Sequence, residues 1–354
     1  VKKTILYEKL KNKNVRCQVC QRRCVIAPGK TGFCLTRLNR NGKLYCLNYG
    51  IIQALQVDPI EKKPFYHFKP GSMVPSIGSF GCNFRCKQCL NWSSSWGEPA
   101  TTILNNLQKG QKRPTVTPKE LIAKIEKSDY QGLAFTYNEP TIWVEYVLDV
   151  AKLAKDKGFF TLFVTNGSWT KETLDKIGPF IDAANIDFKG FTQETYARQG
   201  AFFGEVMKMA EYAQKKHRIF LEITTLLIPG INDNPQELSK MAKWIVTHLG
   251  KKTPLHFSQY DPVLAPDPEF KKLAFTSRKT LDMTYEIAKK AGLEFVYIWA
   301  PSAGKFGGLY SKSDLICPKC KTLVIKRSGW KPEILAIDKK GRCSKCGENL
   351  NVII

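Results

Sequence analysis

Along residues 72–305, short apolar runs alternate with stretches whose apolar positions recur every three or four residues. Seven runs rich in β-branched and aromatic side chains predict strands at 74–79, 132–137, 159–165, 182–187, 218–225, 255–260 and 294–299. Between them lie helical patterns with start signals: Thr117-Pro118 ahead of Glu120, Pro140 running on to Lys155, Asn234-Pro235 ahead of Glu237, and the span 276–291. Strands that alternate with helices imply right-handed βαβ units and a parallel sheet, and six or seven such units predict an open barrel. In such barrels chemistry collects at the C-terminal ends of the strands. The flanks read differently. Residues 1–71 are basic, hold five cysteines and show few periodic segments, while 306–354 carry paired cysteines between short β-like runs. Three regions are therefore expected: 1–71, 72–305 and 306–354. The polar stretch 108–115 reads as a linker.

No apolar run approaches the ~20 residues that span a bilayer, so no membrane partner is expected. The lysine-rich start shows no secretory signal, and a cytoplasmic protein follows as the expectation. Lys plus Arg number 55 against 31 acids, a formal net charge of +24. The first 50 residues hold twelve Lys or Arg and a single acid, Glu8. Metal-bound thiolates would trim the excess to roughly +18. A balanced, ion-paired thermophilic surface does not describe this charge, so a polyanionic partner enters the picture.

Eleven of the twelve cysteines fall into three groups with metal-ligand spacing, leaving Cys46 as an ordinary buried thiol. Cys82, Cys86 and Cys89, directly after the first predicted strand, give C-x3-C-x2-C. Three thiolates on one loop can hold three corners of a [4Fe–4S] cluster and leave the fourth iron without a protein ligand. S-adenosyl-L-methionine (SAM) can chelate that iron through its amino and carboxylate groups, and one electron then breaks a C–S bond to release a 5′-deoxyadenosyl radical. A zinc site would need a fourth ligand, and no Cys or His occurs in the thirty residues after Cys89. At the C-terminus Cys317-x2-Cys320 and Cys343-x2-Cys346 form two knuckles of a zinc ribbon, with an iron site as the alternative. Near the N-terminus Cys17, Cys20, Cys24 and Cys34 form a second four-thiolate set. Zinc is the expectation there, and a second iron–sulfur cluster the alternative.

Several stretches together resemble the radical SAM proteins of the AmmeMemoRadiSam group, homologues of pyruvate formate-lyase activating enzyme. They are Val57-Asp58-Pro59-Ile60-Glu61-Lys62-Lys63-Pro64, the loop from Gly81 to Trp92, Tyr137-Asn138-Glu139-Pro140, Val164-Thr165-Asn166-Gly167, Asn185-Ile186-Asp187-Phe188-Lys189-Gly190 and Leu226-Leu227-Ile228-Pro229-Gly230. The resemblance implies a partial (β/α)6 TIM-like barrel of the radical SAM type with Cys-rich metal-binding lobes at both ends. It also implies SAM contacts at successive strand ends: Asn138 and Glu139 toward the amino group, Asn166 after the third strand, and Asp187 and Lys189 toward the carboxylate. Glu222, Thr224 and His256 match positions that face the SAM pocket. The same residues admit plainer readings, with Asn138 capping a helix that starts at Pro140 and His256 as a satisfied core histidine. Three departures stand out: Tyr137-Asn138-Glu139 replaces Gly-Gly-Glu, Val164 replaces an aspartate, and Gln88 replaces an aromatic residue. The first two weaken glycyl-radical activation as the task.

Basic residues cluster at both ends, among them Lys2, Lys9, Arg16, Arg22 and Arg23, and Lys319, Lys326, Arg327 and Lys345. Such ends suit a phosphate backbone, with Tyr7, Trp92, Trp96 and Trp330 available to stack bases. The expected partner is a macromolecule, RNA somewhat ahead of protein, with a ferredoxin or flavodoxin as electron donor.

Overall fold

The computed structural model describes residues 1–300 and 310–354. The boundary expected between 305 and 306 lies outside them. Contacts group the chain into two compact units: Val1–Val57 with Val74–Ala184 and Gly200–Ile219, and Asp58–Met73 with Asn185–Gln199 and Phe220–Ile354.

In the first unit three strands run parallel: β1 (Met73–Gly78), β2 (Gly132–Phe135) and β3 (Phe160–Thr165). Ile77 lies opposite Phe135, and Phe135 opposite Phe163, so one face of this sheet carries an apolar row across all three strands. Helix α1 (Glu98–Gln108) lies where no helix was anticipated, and its Ala100, Ile103 and Leu104 pack on Phe80 and Leu47. Helix α2 (Pro118–Glu126) opens with the expected signal, a capping box in which the Thr117 hydroxyl accepts from the Glu120 N–H and the Glu120 carboxylate accepts from the Thr117 N–H. Helix α3 (Val144–Asp156) buries Val147, Val150, Ala151 and Ala154, a helical spacing that explains its inward face. Helices α4 (Lys171–Ile177) and α5 (Val206–His217) follow.

The N-terminal residues form two three-stranded antiparallel ribbons of two to four residues per strand. What ties them to α3 is a buried ion pair: the Arg37 guanidinium donates to the Glu145 carboxylate at 2.6 Å, to the Ile142 carbonyl at 2.8 Å and to the Thr4 hydroxyl at 2.9 Å. Both side chains are almost wholly out of water.

Strand β4 (Ala183–Asp187) begins in the first unit and ends in the second. The second unit contains β5 (Phe220–Leu227), β6 (Leu255–Gln259) and β7 (Val296–Ala300) in parallel, with β8 (Tyr310–Lys312) antiparallel to β7. Thr224, His256 and Tyr297 are register partners, so they share one face of this sheet. Helices α6 (Pro235–His248) and α7 (Arg278–Lys290) start at the expected positions, with Asn234 and Ser277 as side-chain caps. The C-terminal ribbon of three antiparallel strands is too small for a core of its own; Leu315, Val324 and Leu350 instead share a core with Tyr66, Phe295 and Tyr297. The α/β architecture expected from the alternation is the one observed.

Removing one partner of a buried ion pair leaves the other charge uncompensated. Arg37→Met should therefore lower stability by about 3–5 kcal/mol, read as a reduced midpoint in denaturant titration. Surface replacement of Lys208, paired only with exposed Glu205, should leave that midpoint in place.

Candidate active site

The cysteine loop leaves β1 through Gly78-Ser79-Phe80-Gly81. Gly81 has φ +89°, and a Cβ there would lie 2.4 Å from the Cys34 carbonyl oxygen, so the chain passes at a distance only glycine permits. Gly78 is held in the same way, with a Cβ position 2.6 Å from the Thr136 oxygen. Asn138 clamps this exit: its Oδ1 accepts from the Ser79 N–H at 3.1 Å, and its Nδ2 donates to the Gly81 carbonyl at 2.8 Å.

Within the loop Asn83 reaches the end of β3. Its amide donates to the Ser168 hydroxyl at 2.5 Å and accepts from Asn166 Nδ2 at 2.9 Å. Asn166 Oδ1 accepts in turn from the Ser168 N–H and hydroxyl. Glu139 locks the same turn from β2. Its Oε1 accepts from the Thr141 N–H and hydroxyl and from the Thr165 hydroxyl at 2.7 Å, and its Oε2 accepts from the Asn166 N–H at 2.8 Å. Burial pushes the Glu139 carboxyl above its usual value, and these four donors pull the other way. The helical turn at Pro140 is capped by Glu139, through the Thr141 N–H, where Asn138 had been the expected cap. Asn138 instead spends its side chain on the cysteine loop. Arg85 secures the loop's far side, donating to the Cys82 carbonyl at 2.8 Å and to the Phe33 carbonyl. Cys82 and Cys89 are partly exposed and Cys86 is buried, and the chain's twelve cysteines form no disulfide. Burial raises the Cys82 thiol well above its ordinary value, with the neighbouring Cys86 adding to the effect.

In the second unit Asp187 and Lys189 sit together at the end of β4 as an ion pair. Asp187 Oδ1 and Thr224 Oγ1 are both buried without a hydrogen-bond partner. Two orphaned polar atoms at strand ends fit a site that a polar ligand completes. Glu222 differs: its carboxylate accepts from the backbone N–H groups of Tyr66, His67 and Phe68 and from His256 at 2.7 Å. Burial opposes the charged form of Glu222, but His256 and these donors hold its pKa below the usual value. Glu222 and His256 are thus satisfied inside the unit and pin the segment 66–68, a pairing across 34 residues that no local spacing signals.

The C-terminal sulfurs converge. Cys317 and Cys346 lie 3.6 Å apart, as do Cys320 and Cys343. All four are within 4.8 Å of one another, and they are the one such group of metal-ligating atoms among the described residues. Zinc–thiolate bonds of ~2.3 Å in a tetrahedron place sulfurs about 3.8 Å apart, which these distances approach. Cys17, Cys20, Cys24 and Cys34 line one cavity together with Arg22, Arg37 and Asn83, at wider spacing. Cys46 is buried and donates to Asn48, as an ordinary thiol would.

Several of the basic residues expected at a phosphate surface are otherwise engaged. Lys2 pairs with Asp149, Arg16 with Glu8 and Arg23 with Glu172. Arg22 donates to the Asn83 carbonyl. Arg327 is buried and donates to the Ser313 and Tyr66 carbonyls. Lys9, Lys11 and Lys13 in one unit, and Lys319, Lys326 and Lys345 in the other, remain exposed.

A chain with a three-cysteine loop after the first parallel strand of one unit, and polar side chains on the strands of the other, has the parts of a radical SAM enzyme. The model of the Radical SAM superfamily matches residues 76–245, so the chain carries a radical SAM domain. An uncharacterized protein of Methanocaldococcus jannaschii is 35% identical over 355 residues, a match that covers the whole of both chains. A second protein of that organism, provisionally named a glycyl-radical enzyme activating enzyme, is 26% identical over 60% of this chain and 82% of its own. Among solved structures, a radical SAM methyltransferase from Sphaerobacter thermophilus overlaps 70% of this chain and 72% of its own at 12% identity, with a TM-score of 0.47. The superfamily's chemistry implies a [4Fe–4S] cluster and SAM. No helix of the described residues is long and apolar enough to cross a membrane.

Beside Glu222, His67 gives a pH test. Its Nδ1 lies 3.0 Å from the Leu350 carbonyl and 3.1 Å from that of Asn351, so Nδ1 carries the proton and Nε2 accepts from the Tyr297 hydroxyl at 2.6 Å. Burial, opposed by the Glu222 charge, lowers its pKa to about 4. The unfolded chain therefore binds the extra proton first, and the stabilisation present above about pH 6.5 is lost as pH falls toward 4, with a slope of up to ~1.4 kcal/mol per pH unit. Thermal unfolding followed from pH 7 to pH 4 should show this loss, and His67→Gln should flatten it.

Proposed function

We propose that Cys82, Cys86 and Cys89 hold one [4Fe–4S] cluster with its fourth iron left for SAM, and that the enzyme abstracts hydrogen from a macromolecular substrate, RNA ahead of protein. The observation that carries this is the loop itself: three thiols on eight residues, with its first half held by Asn138 at Ser79 and Gly81, by Asn166 and Ser168 at Asn83, and by Arg85 at the Cys82 carbonyl. When bound, the cluster supplies the electron that splits SAM into methionine and a 5′-deoxyadenosyl radical.

The protein's own part is positioning. Lys189 offers its cation to the SAM carboxylate, and Asp187 Oδ1 and Thr224 Oγ1 offer unspent hydrogen-bonding capacity. Asn138, Glu139 and Asn166 serve the site by holding the loop and the turn after β3, their side-chain bonds being mostly committed inside the protein. Glu222 and His256 shape a wall of the SAM pocket through the segment they pin. The four C-terminal thiolates hold zinc, which folds a ribbon too small to fold alone. The full motif set favours the AmmeMemoRadiSam group within the superfamily.

The substrate reading rests on charge. A net +24 with exposed lysines in both units favours a polyanion. A protein substrate is the second reading, favoured by the relative named for glycyl-radical enzyme activation. A ferredoxin or flavodoxin would deliver the electron. Twelve cysteines without a disulfide suit a reducing compartment, the cytoplasm.

Anaerobically reconstituted protein given dithionite and SAM should release 5′-deoxyadenosine, and Cys86→Ala should abolish it while leaving the zinc content unchanged. Cleavage undiminished in that variant would remove the assignment. Cys320→Ser should lower zinc by about one equivalent per chain, measured by elemental analysis, without lowering iron.

A further inference from the structure

In the second unit a cavity of about 130 Å³ opens among Glu61, Tyr66, His256, Ser258, Trp299 and Trp330. Its size is that of a single aromatic ring, since a cavity of about 150 Å³ accepts benzene. Trp299 and Trp330 stand with ring centroids 5.0 Å apart and planes inclined by 33°, which gives the cavity an indole wall. Tyr66 meets His256 edge to face at 4.7 Å, closing the opposite side.

Among the polar residues that line this aromatic chamber, Lys62 is paired with Asp58 and stands 5.6 Å from the Trp330 ring, and Glu61 carries the unsatisfied atom. It is 2% exposed. Its Oε1 accepts from the Gly71 N–H at 2.8 Å, and its Oε2 is buried without a hydrogen-bond partner. Burial raises its carboxyl to about 7, against the Gly71 hydrogen bond and the Arg327 charge. A buried acceptor costs free energy unless something donates to it, so the orphaned oxygen points to a ligand with a donor. An orphaned acceptor facing a ring-sized space beside two indoles selects a flat ring that carries an N–H donor at its edge.

We propose that this cavity receives one nucleobase bearing an exocyclic amine, presented by the RNA substrate, with its ring against Trp299 and Trp330 and its amine donating to Glu61 Oε2. This deepens the RNA reading above and rests on it. Uracil fits poorly, because its only edge donor sits between two carbonyls that would face the carboxyl group. An arginine side chain could also stack and donate, but it would bring a cation to a chain of net charge +24.

The test is a titration of the full-length, cluster-loaded protein without reductant, following tryptophan fluorescence, with AMP, CMP, GMP, UMP and N-acetylarginine amide as probes. At least one amine-bearing nucleotide should quench saturably, and UMP should bind roughly tenfold more weakly. Trp330→Ala, at a half-exposed position where folding should survive, and Glu61→Gln should each weaken binding roughly tenfold. Excess SAM should leave the titration unchanged. The proposal is overturned if UMP binds as well as the others, if Trp330→Ala folds and binds as the parent does, if SAM displaces the nucleotide, or if the arginine amide takes the site instead. Because no reductant is present, failure here leaves SAM cleavage standing, and failure of SAM cleavage leaves this binding measurable.

Discussion

The loop proposed to offer three thiolates to one cluster has no regular hydrogen-bond ladder to hold it, and side chains of the first unit supply that support. Asn138 grips the loop where it leaves β1, Asn83 ties it to Asn166 and Ser168, and Arg85 folds back on the Cys82 carbonyl. The Glu139 carboxylate fixes the partner turn with four donors. Each of these groups is buried or nearly so, where an unmade hydrogen bond is costly, and the set therefore specifies one loop geometry. Gly81 completes it by letting the chain pass against the Cys34 carbonyl.

The second unit uses the same device for another segment. Glu222 draws in three consecutive backbone N–H groups from Tyr66 to Phe68, while His256 bonds to it from β6. His67, held neutral between the Tyr297 hydroxyl and the chain's last carbonyls, ties that segment to the C-terminal ribbon. Asp187 Oδ1 and Thr224 Oγ1 are buried without a hydrogen-bond partner, while Glu222 and His256 are bonded to each other. Residues that resemble one another as motif positions thus divide into those that could meet a ligand and those that hold the wall behind it.

Much of this was legible in the sequence. All seven strands anticipated in 72–305 form within two residues of their expected bounds, because buried parallel strands are continuous apolar runs with clear punctuation. The C-terminal knuckles converge as their spacing implied. Other features had no local signal. The N-terminal ribbons use strands of two to four residues, too short for any period to show. Helix α1 was hidden by its polar threonines and asparagines, only Ala100, Ile103 and Leu104 being buried. Glu139 took the capping part expected of Asn138 because the demand on Asn138 comes from Ser79 and Gly81, some sixty residues away. The loss of Arg327 from the basic surface likewise depends on carbonyls at Ser313 and Tyr66.

The central claim is that the loop of Cys82, Cys86 and Cys89 leaves one iron open for SAM. Electron paramagnetic resonance of the reduced, cluster-loaded protein tests it directly. Addition of SAM should shift the g values of the [4Fe–4S]⁺ signal, as a new ligand on one iron requires. A spectrum unchanged by saturating SAM would mean that the fourth iron is closed or absent, and would contradict the account.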